Sequence, residues 1–204
     1  MAYFTDASLN SGKFILKLDA GQTKNCILVG IGHIGNHVLL RQRDFIPSDA
    51  GGYKDKDFGQ ASKFYLFIKN ELMPFVNGKI VIQKTKIFIG HSFGGLLALY
   101  FSLRENKLFD RYYAISPSVW ANHNELIKIE ESYKKDNFSY NATIYLYAGS
   151  LEVFNKVLGS TMEFYDTVKN RNYKDLIISF KKIDWANHYT IVQKVVPEIF
   201  SQIN

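Results

Sequence analysis

The chain has 204 residues, 47% hydrophobic and 22% charged, with 16 Phe, 13 Tyr and 2 Trp; that apolar content excludes a disordered chain, which lacks the surface to offset its ordering entropy. A single cysteine, Cys26, excludes an internal disulfide framework and an all-cysteine metal site. The excess of 25 Lys and Arg over 19 Asp and Glu gives a net charge of +6, spread as single lysines and pairs such as Lys134-Lys135, without the like-charge runs that would point to nucleic acid as a partner.

The length fits a single domain over residues 1–204. Residues 1–5 and 26–31 read as short β-rich strands. Residues 41–59 are polar, with Pro47 and the pair Gly51-Gly52, and read as a long loop. In residues 60–72 the positions Ala61, Phe64, Tyr65, Ile68 and Leu72 form one apolar helix face, and Pro74 is expected to stop that helix. Residues 86–89 form a strand, and residues 95–103, apolar nearly all round, form a buried helix. Strand 112–115 is followed by a polar stretch, 121–140, with weak periodicity near residues 126–129, read as a second long loop. Strand 143–148, helix 161–169, strand 176–180 and helix 190–200 complete the chain, and Pro197 is expected to kink or restart the last helix. Strands alternating with helices predict an α/β fold with a mostly parallel sheet. No apolar stretch reaches the roughly 18–20 residues of a membrane span. Residues 1–6 lack the basic and apolar regions of a secretory signal, so the expectation is a cytoplasmic protein with no membrane partner.

The chemistry concentrates in Gly90-His91-Ser92-Phe93-Gly94-Gly95, a Gly-x-Ser-x-Gly sequence between a strand and a helix. A turn this tight leaves no room for a Cβ two residues before and two after the serine. It lifts the Ser92 hydroxyl above the sheet, and the Phe93 N–H, at the helix N-terminus, can then donate to a developing oxyanion. A Gly-Ser-Gly turn also arises by chance; the strand–turn–helix context favours a nucleophile. A serine nucleophile needs a base. Of the histidines, only His123 and His188 follow Ser92. His188 comes after the last predicted strand and before the last helix, the position for a base at the carboxyl end of a sheet. His91 flanks Ser92 and reads as structural. His33 and His37 have a helix-face ligand spacing, but Gly32 and Gly35 argue against a helix and no acidic neighbour completes a metal set. Glu152 is the first carboxylate after strand 143–148 and keeps the order Ser, acid, His. Asp184 lies only four residues before His188 and is the competing acid.

These segments resemble the putative-esterase branch of the α/β-hydrolases, which includes the enterochelin and salmochelin esterases and, more distantly, esterase D. The similarity rests on Glu71-Leu72-Met73-Pro74-Phe75, on GHSFGGLLALY over residues 90–100, on Phe109-Asp110-Arg111-Tyr112, and on Ala114-Ile115-Ser116-Pro117-Ser118-Val119-Trp120. Earlier segments that match are Val29-Gly30-Ile31 and Arg43-Asp44-Phe45-Ile46-Pro47. The resemblance implies a three-layer α/β-hydrolase-like sandwich. It also implies a serine esterase acting on a small-molecule ester, siderophore-type or small acyl, through an acyl-enzyme, with no cofactor or metal. Ser92, Glu152 and His188 fall at its triad, and Phe93 N–H with Ala7 or Ser8 N–H at its oxyanion hole. Ser116 and Trp120 lie in its substrate loop. Arg41 and Arg43 are either partners for an anionic substrate or solvated loop charges. Two departures stand out. Relatives carry two further strands before the segment resembling residues 3–7, and Asp6-Ala7 stands where they have Asp-Gly; the expectation is a sheet lacking the usual first strands, with an exposed edge that favours homo-oligomers. Ala121 replaces the second Trp of a Ser-Pro-Ser-x-Trp-Trp motif. The alternative reading is a non-catalytic hydrolase-fold protein that binds a ligand or partner.

Overall fold

The computed structural model describes residues 1–47, 58–80, 85–104, 107–154 and 156–203. In chain order the elements are β1 (Ala2–Phe4), α1 (Asn10–Leu16), α2 (Ala20–Thr23), β2 (Leu28–Gly30), α3 (His37–Phe45) and α4 (Ala61–Phe67). A π-helical turn (Ile68–Leu72) leads into α5 (Met73–Asn77), followed by β3 (Ile87–His91), α6 (Phe93–Ser102), β4 (Arg111–Ile115) and α7 (Ala121–Asp136). β5 (Ser139–Gly149), α8 (Val157–Asn170), β6 (Lys174–Ile183) and α9 (Ile191–Ile203) close the chain. The six strands form one sheet in the order β2-β1-β3-β4-β5-β6, and every neighbouring pair is parallel.

The apolar strand runs are explained by burial on both faces. Tyr3, Phe88, Tyr112, Ala114, Ile144 and Leu146 point into one core, closed by residues of α4, α6, α7 and α8. Their neighbours Ala2, Phe4, Ile87, Ile89, Tyr113 and Ile115 point into a second core, closed by Ile15 of α1 and by Ile191, Val195, Ile199 and Phe200 of α9. This period of two makes the three-layer α/β-hydrolase architecture. The chain steps outward from β1 to β2 and then returns to the other side of β1 as β3. That reversal opens a crevice above the carboxyl ends of β1 and β3, where open α/β sheets bind ligands.

Three expectations are corrected. Pro74 does not stop its helix: the Met73 N–H bonds the Ile68 carbonyl, five residues back, and this wider turn makes room for the proline ring so that α5 continues to Asn77. Most of the polar stretch 121–140 is helix α7, regular after the left-handed residues Asn122, His123 and Asn124, and the start of β5. Its helix buries Leu126 with Ile129 and Tyr133 against the core, and it carries Glu130, fully buried, whose carboxylate accepts from the Tyr173 hydroxyl at 2.7 Å. The first part of stretch 41–59 belongs to α3, capped by the Asn36 side chain; the pair Gly51-Gly52 lies outside the described residues. Pro197 sits inside α9, which continues to Ile203.

Candidate active site

β3 ends at His91 and α6 begins at Phe93, leaving Ser92 alone in the turn with φ 61° and ψ −120°. A left-handed backbone costs a non-glycine residue roughly 1–3 kcal/mol and persists only where the surroundings hold it. Here they do: Ser92 N–H donates to the Ile115 carbonyl at 3.0 Å, and the Ser92 carbonyl accepts from Leu96 and Ser118 N–H at 3.0 and 3.1 Å. A Cβ at Gly90 would overlap the Gly94 carbonyl, and one at Gly94 would overlap the Thr5 hydroxyl. The spacing of these glycines is therefore set by contact between the strand, the helix and the end of β1. Phe93 N–H is the first of α6 and has no acceptor within the helix.

His188 lies between β6 and α9. Asn187 caps that helix start: its side-chain oxygen accepts from Tyr189 and Thr190 N–H at 2.9 and 3.0 Å, and its carbonyl from Ile191 N–H at 3.1 Å. His188 is thereby held at the mouth of the sheet. Glu152 lies in the turn between β5 and α8, 1% exposed. Its Oε1 meets His188 Nδ1 at 2.6 Å. Its Oε2 accepts from the Ser116 hydroxyl and the Gly149 N–H, each at 2.6 Å. Burial pushes the Glu152 carboxyl up, but the bonds from His188, Ser116 and Gly149 outweigh it, so its pKa lies below the usual value and the group is ionised at neutral pH. The acid and base loops are stitched together: Ser150 N–H donates to the Ile183 carbonyl at 2.9 Å, Leu151 N–H to the Ala186 carbonyl at 3.1 Å, and Trp185 N–H to the Ser150 hydroxyl at 2.9 Å. Asp184, by contrast, is exposed, and its carboxylate has no hydrogen bond or ion pair among the described residues.

Ser92, His91 and His188 line one cavity of about 580 Å³, closed on the other side by Ser8, Lys13 and Gln193. The Ser92 hydroxyl contacts the Ser118 hydroxyl at 3.4 Å. His188 Nε2 has no hydrogen bond among the described residues, so the ring nitrogen facing away from Glu152 is free to take a proton. His91 packs its ring on that of His188, centroids 4.6 Å apart, and its Nε2–H donates to the His188 carbonyl at 2.8 Å. Burial, helped by repulsion from His188 and Arg41, lowers the His91 pKa to about 3. A neutral His91 therefore supports His188 without adding a competing charge.

The remaining predicted site residues are distributed differently. Ala7 N–H is spent on the Ile31 carbonyl at 3.1 Å, whereas Ser8 N–H has no partner among the described residues. Of the two expected donors after β1, Ser8 N–H is the one left for an outside acceptor. Ser116, expected in the substrate loop, is fully buried and serves Glu152 instead. Trp120 is 39% exposed, its ring 6.3 Å from that of Phe93, and lines a neighbouring groove with Val153 and Lys156. Arg43 pairs with Asp44 at 2.7 Å and lines a depression with Phe64 and Phe67, away from Ser92. Arg41 lines the Ser92 cavity and is ion-paired with Asp6. His33 bonds Asp44 at 2.8 Å and His37 meets the Ser8 hydroxyl at 3.4 Å, so the two do not share a ligand. Among the described residues no group of three His, Cys, Asp or Glu is arranged to hold a metal ion, and no helix is long and apolar enough to cross a membrane. The bond from Ser116 to Glu152 and the contact between Ser118 and Ser92 are not legible in sequence; the signal that brings both serines near the site is the Ser-Pro-Ser segment after β4.

Comparison with known proteins bears on the same segments. The ferri-bacillibactin esterase BesA of Bacillus subtilis is 28% identical over 187 residues, covering 83% of this chain and 64% of the relative, so the chain spans less than two thirds of that protein's length. The BES protein from Bacillus cereus superposes with a TM-score of 0.78 at 25% identity, covering 98% of this chain and 82% of that one. The siderophore hydrolase EstB from Aspergillus nidulans shares the fold, with a TM-score of 0.82 at 20% identity over 99% of this chain and 81% of its own. The model of the family described as "Putative esterase" matches residues 8–185, and the chain belongs to that family.

Proposed function

We propose that the chain hydrolyses carboxylic esters through Ser92, His188 and Glu152. The observation that carries this reading is the convergence of a strained, lifted serine with a carboxylate-bound imidazole in one cavity. Glu152 accepts from His188 Nδ1–H and so leaves Nε2 as the basic nitrogen. When substrate docks, Nε2 takes the proton of the Ser92 hydroxyl as its oxygen attacks the ester carbonyl. The tetrahedral oxyanion is stabilised by the backbone N–H groups of Phe93 and Ser8. Collapse expels the alcohol, which receives the proton from His188, and leaves an acyl-enzyme on Ser92. Water, activated by the same nitrogen, attacks the acyl carbon and releases the acid. Ionised Glu152 stabilises the transient imidazolium in both halves, and neutral His91 adds no opposing charge.

For the substrate we take the siderophore class of ester, with small acyl esters as the model reaction, by analogy with BesA, named a ferri-bacillibactin esterase. The test measures hydrolysis of p-nitrophenyl acetate and of a ferric trilactone siderophore by the wild type and by Ser92→Ala. Turnover of both that disappears in the variant supports the reading. Absence of turnover on either, or turnover that survives the substitution, overturns it.

A further inference from the structure

We infer that Arg41 is a positioning residue that locks the loop after β1 to the turn that bears Ser92, so that the Ser8 and Phe93 N–H groups face one point. The inference rests on the esterase reading above and concerns how its oxyanion site is assembled. The two donors come from different strand ends. Ser8 follows β1, and Phe93 follows β3; nothing in either turn alone fixes the distance between them. Arg41, on α3, reaches both. Its Nε–H donates to Asp6 Oδ1 at 2.7 Å and its Nη2–H to Asp6 Oδ2 at 3.1 Å, a paired contact with the residue that opens the first loop. The same Nη2 donates to the His91 carbonyl at 3.3 Å, the residue before Ser92. The guanidinium also lies 5.6 Å from the centre of the Phe93 ring and 5.8 Å from that of Phe45.

The loop it holds is not relaxed without help. Asp6 is 2% exposed and has φ 62°, a left-handed conformation unfavourable for a side chain larger than glycine. Its carbonyl accepts from Leu9 N–H at 2.8 Å, and the next residue, Ala7, is tied to β2 through the Ile31 carbonyl. That turn leaves Ser8 N–H without a partner among the described residues and Ser8 in the wall of the Ser92 cavity. A buried carboxylate in such a turn is expensive unless a charge meets it. Arg41 does so, and its Nη2 also reaches the other loop. Lysine would keep the charge but could not offer two N–H groups to Asp6 and a third to His91 in one plane. The Nε and Nη2 groups are committed to Asp6 and His91, so a substrate anion entering the cavity could meet only Nη1 of Arg41.

The experiment compares wild type, Arg41→Gln, Arg41→Lys and the double variant Asp6→Asn with Arg41→Gln, in the full chain. Amide hydrogen exchange of Ala7 and Leu9, whose N–H groups bond the Ile31 and Asp6 carbonyls, reads the clamp directly. Steady-state hydrolysis of p-nitrophenyl acetate and of mono-(4-nitrophenyl) succinate reads its consequence. In Arg41→Gln, exchange at Ala7 and Leu9 is expected to quicken at least tenfold while β5 and β6 stay protected. kcat falls about 30- to 100-fold on both esters, with KM within threefold, as for a misplaced oxyanion donor. Arg41→Lys recovers part of kcat. Unchanged exchange, or unchanged kcat, in a folded variant overturns the inference, as does a rise in KM confined to the anionic ester, which would make Arg41 a substrate ligand. If Arg41→Gln fails to fold, the double variant, freed of the buried charge, is read by the same criteria. A wild type without Ser92-dependent turnover defeats the esterase reading, and the exchange rates still decide the clamp.

Discussion

Replacing Glu152 with glutamine tests the proposed proton pathway most sharply, because the structure dictates how the amide must sit. Oε2 accepts from Gly149 N–H and from the Ser116 hydroxyl, each at 2.6 Å. A backbone N–H can only donate, so the glutamine carbonyl oxygen must occupy that position. Its NH2 then takes the place of Oε1, 2.6 Å from His188 Nδ1, and offers a proton where the native carboxylate accepts one. His188 is driven to the tautomer protonated on Nε2, which cannot accept the Ser92 proton. In the serine-protease template the equivalent change lowers turnover about ten-thousand-fold; an activated ester with a good leaving group needs less acid assistance. Glu152→Gln is therefore expected to lower kcat on p-nitrophenyl acetate by about a hundredfold or more, about 2.7 kcal/mol of transition-state stabilisation. Asp184→Asn, on an exposed carboxylate without partners among the described residues, changes kcat by less than about tenfold. Steady-state kinetics on both variants decides, with circular dichroism and thermal melting to establish folding. The reverse order of effects would refute the assignment of the acid. Two native-like rates would mean that Ser92 and His188 work as a dyad with backbone or water orienting the ring.

A fluorophosphonate probe is expected to label the chain once, at Ser92, by peptide mapping; a label elsewhere contradicts the reading of the turn. Stability should fall in mild acid. Folded His91 stays neutral down to about pH 3, whereas an unfolded histidine titrates near 6.5. Below pH 6.5 the unfolded chain thus gains a proton that the folded chain refuses, and unfolding becomes easier by up to about 1.4 kcal/mol per pH unit. The contribution is complete above pH 6.5 and is lost as pH falls; urea unfolding at pH 7.5 and 5.0 should show a smaller drop for His91→Asn than for wild type. The lowered pKa of Glu152 acts in the same direction but only below the usual carboxylate range. Gly149→Ala places a Cβ into the Ala186 carbonyl and should cost about 1–3 kcal/mol in urea unfolding while reducing kcat. Gly159→Ala, in α8 with open space around it, should instead stabilise by roughly 0.5–1 kcal/mol.

The sequence by itself determined the features that depend on neighbouring residues. Short apolar runs such as residues 86–89, bounded by a glycine turn, read as strands buried on two faces, and Gly90, Ser92 and Gly94 impose a turn through local steric exclusion. Glu152 and His188 could be picked out because the ends of parallel strands gather at one edge of a sheet. Helix α7 escaped notice because its apolar face, Leu126, Ile129 and Tyr133, is interrupted by charges, including a glutamate that becomes tolerable only when Tyr173 and Arg171 meet it across the fold. Only the tertiary structure decided which polar groups pair. Asp6 and Arg41 are 35 residues apart, and Ser116 and Glu152 are 36 apart. No local pattern records such a partnership, because it exists only once the sheet order has brought the strand ends together. For the same reason Arg41 and Arg43, two residues apart and alike in sequence, diverge: successive positions on α3 face different neighbours, so one arginine braces the Ser92 crevice while the other borders a separate hollow.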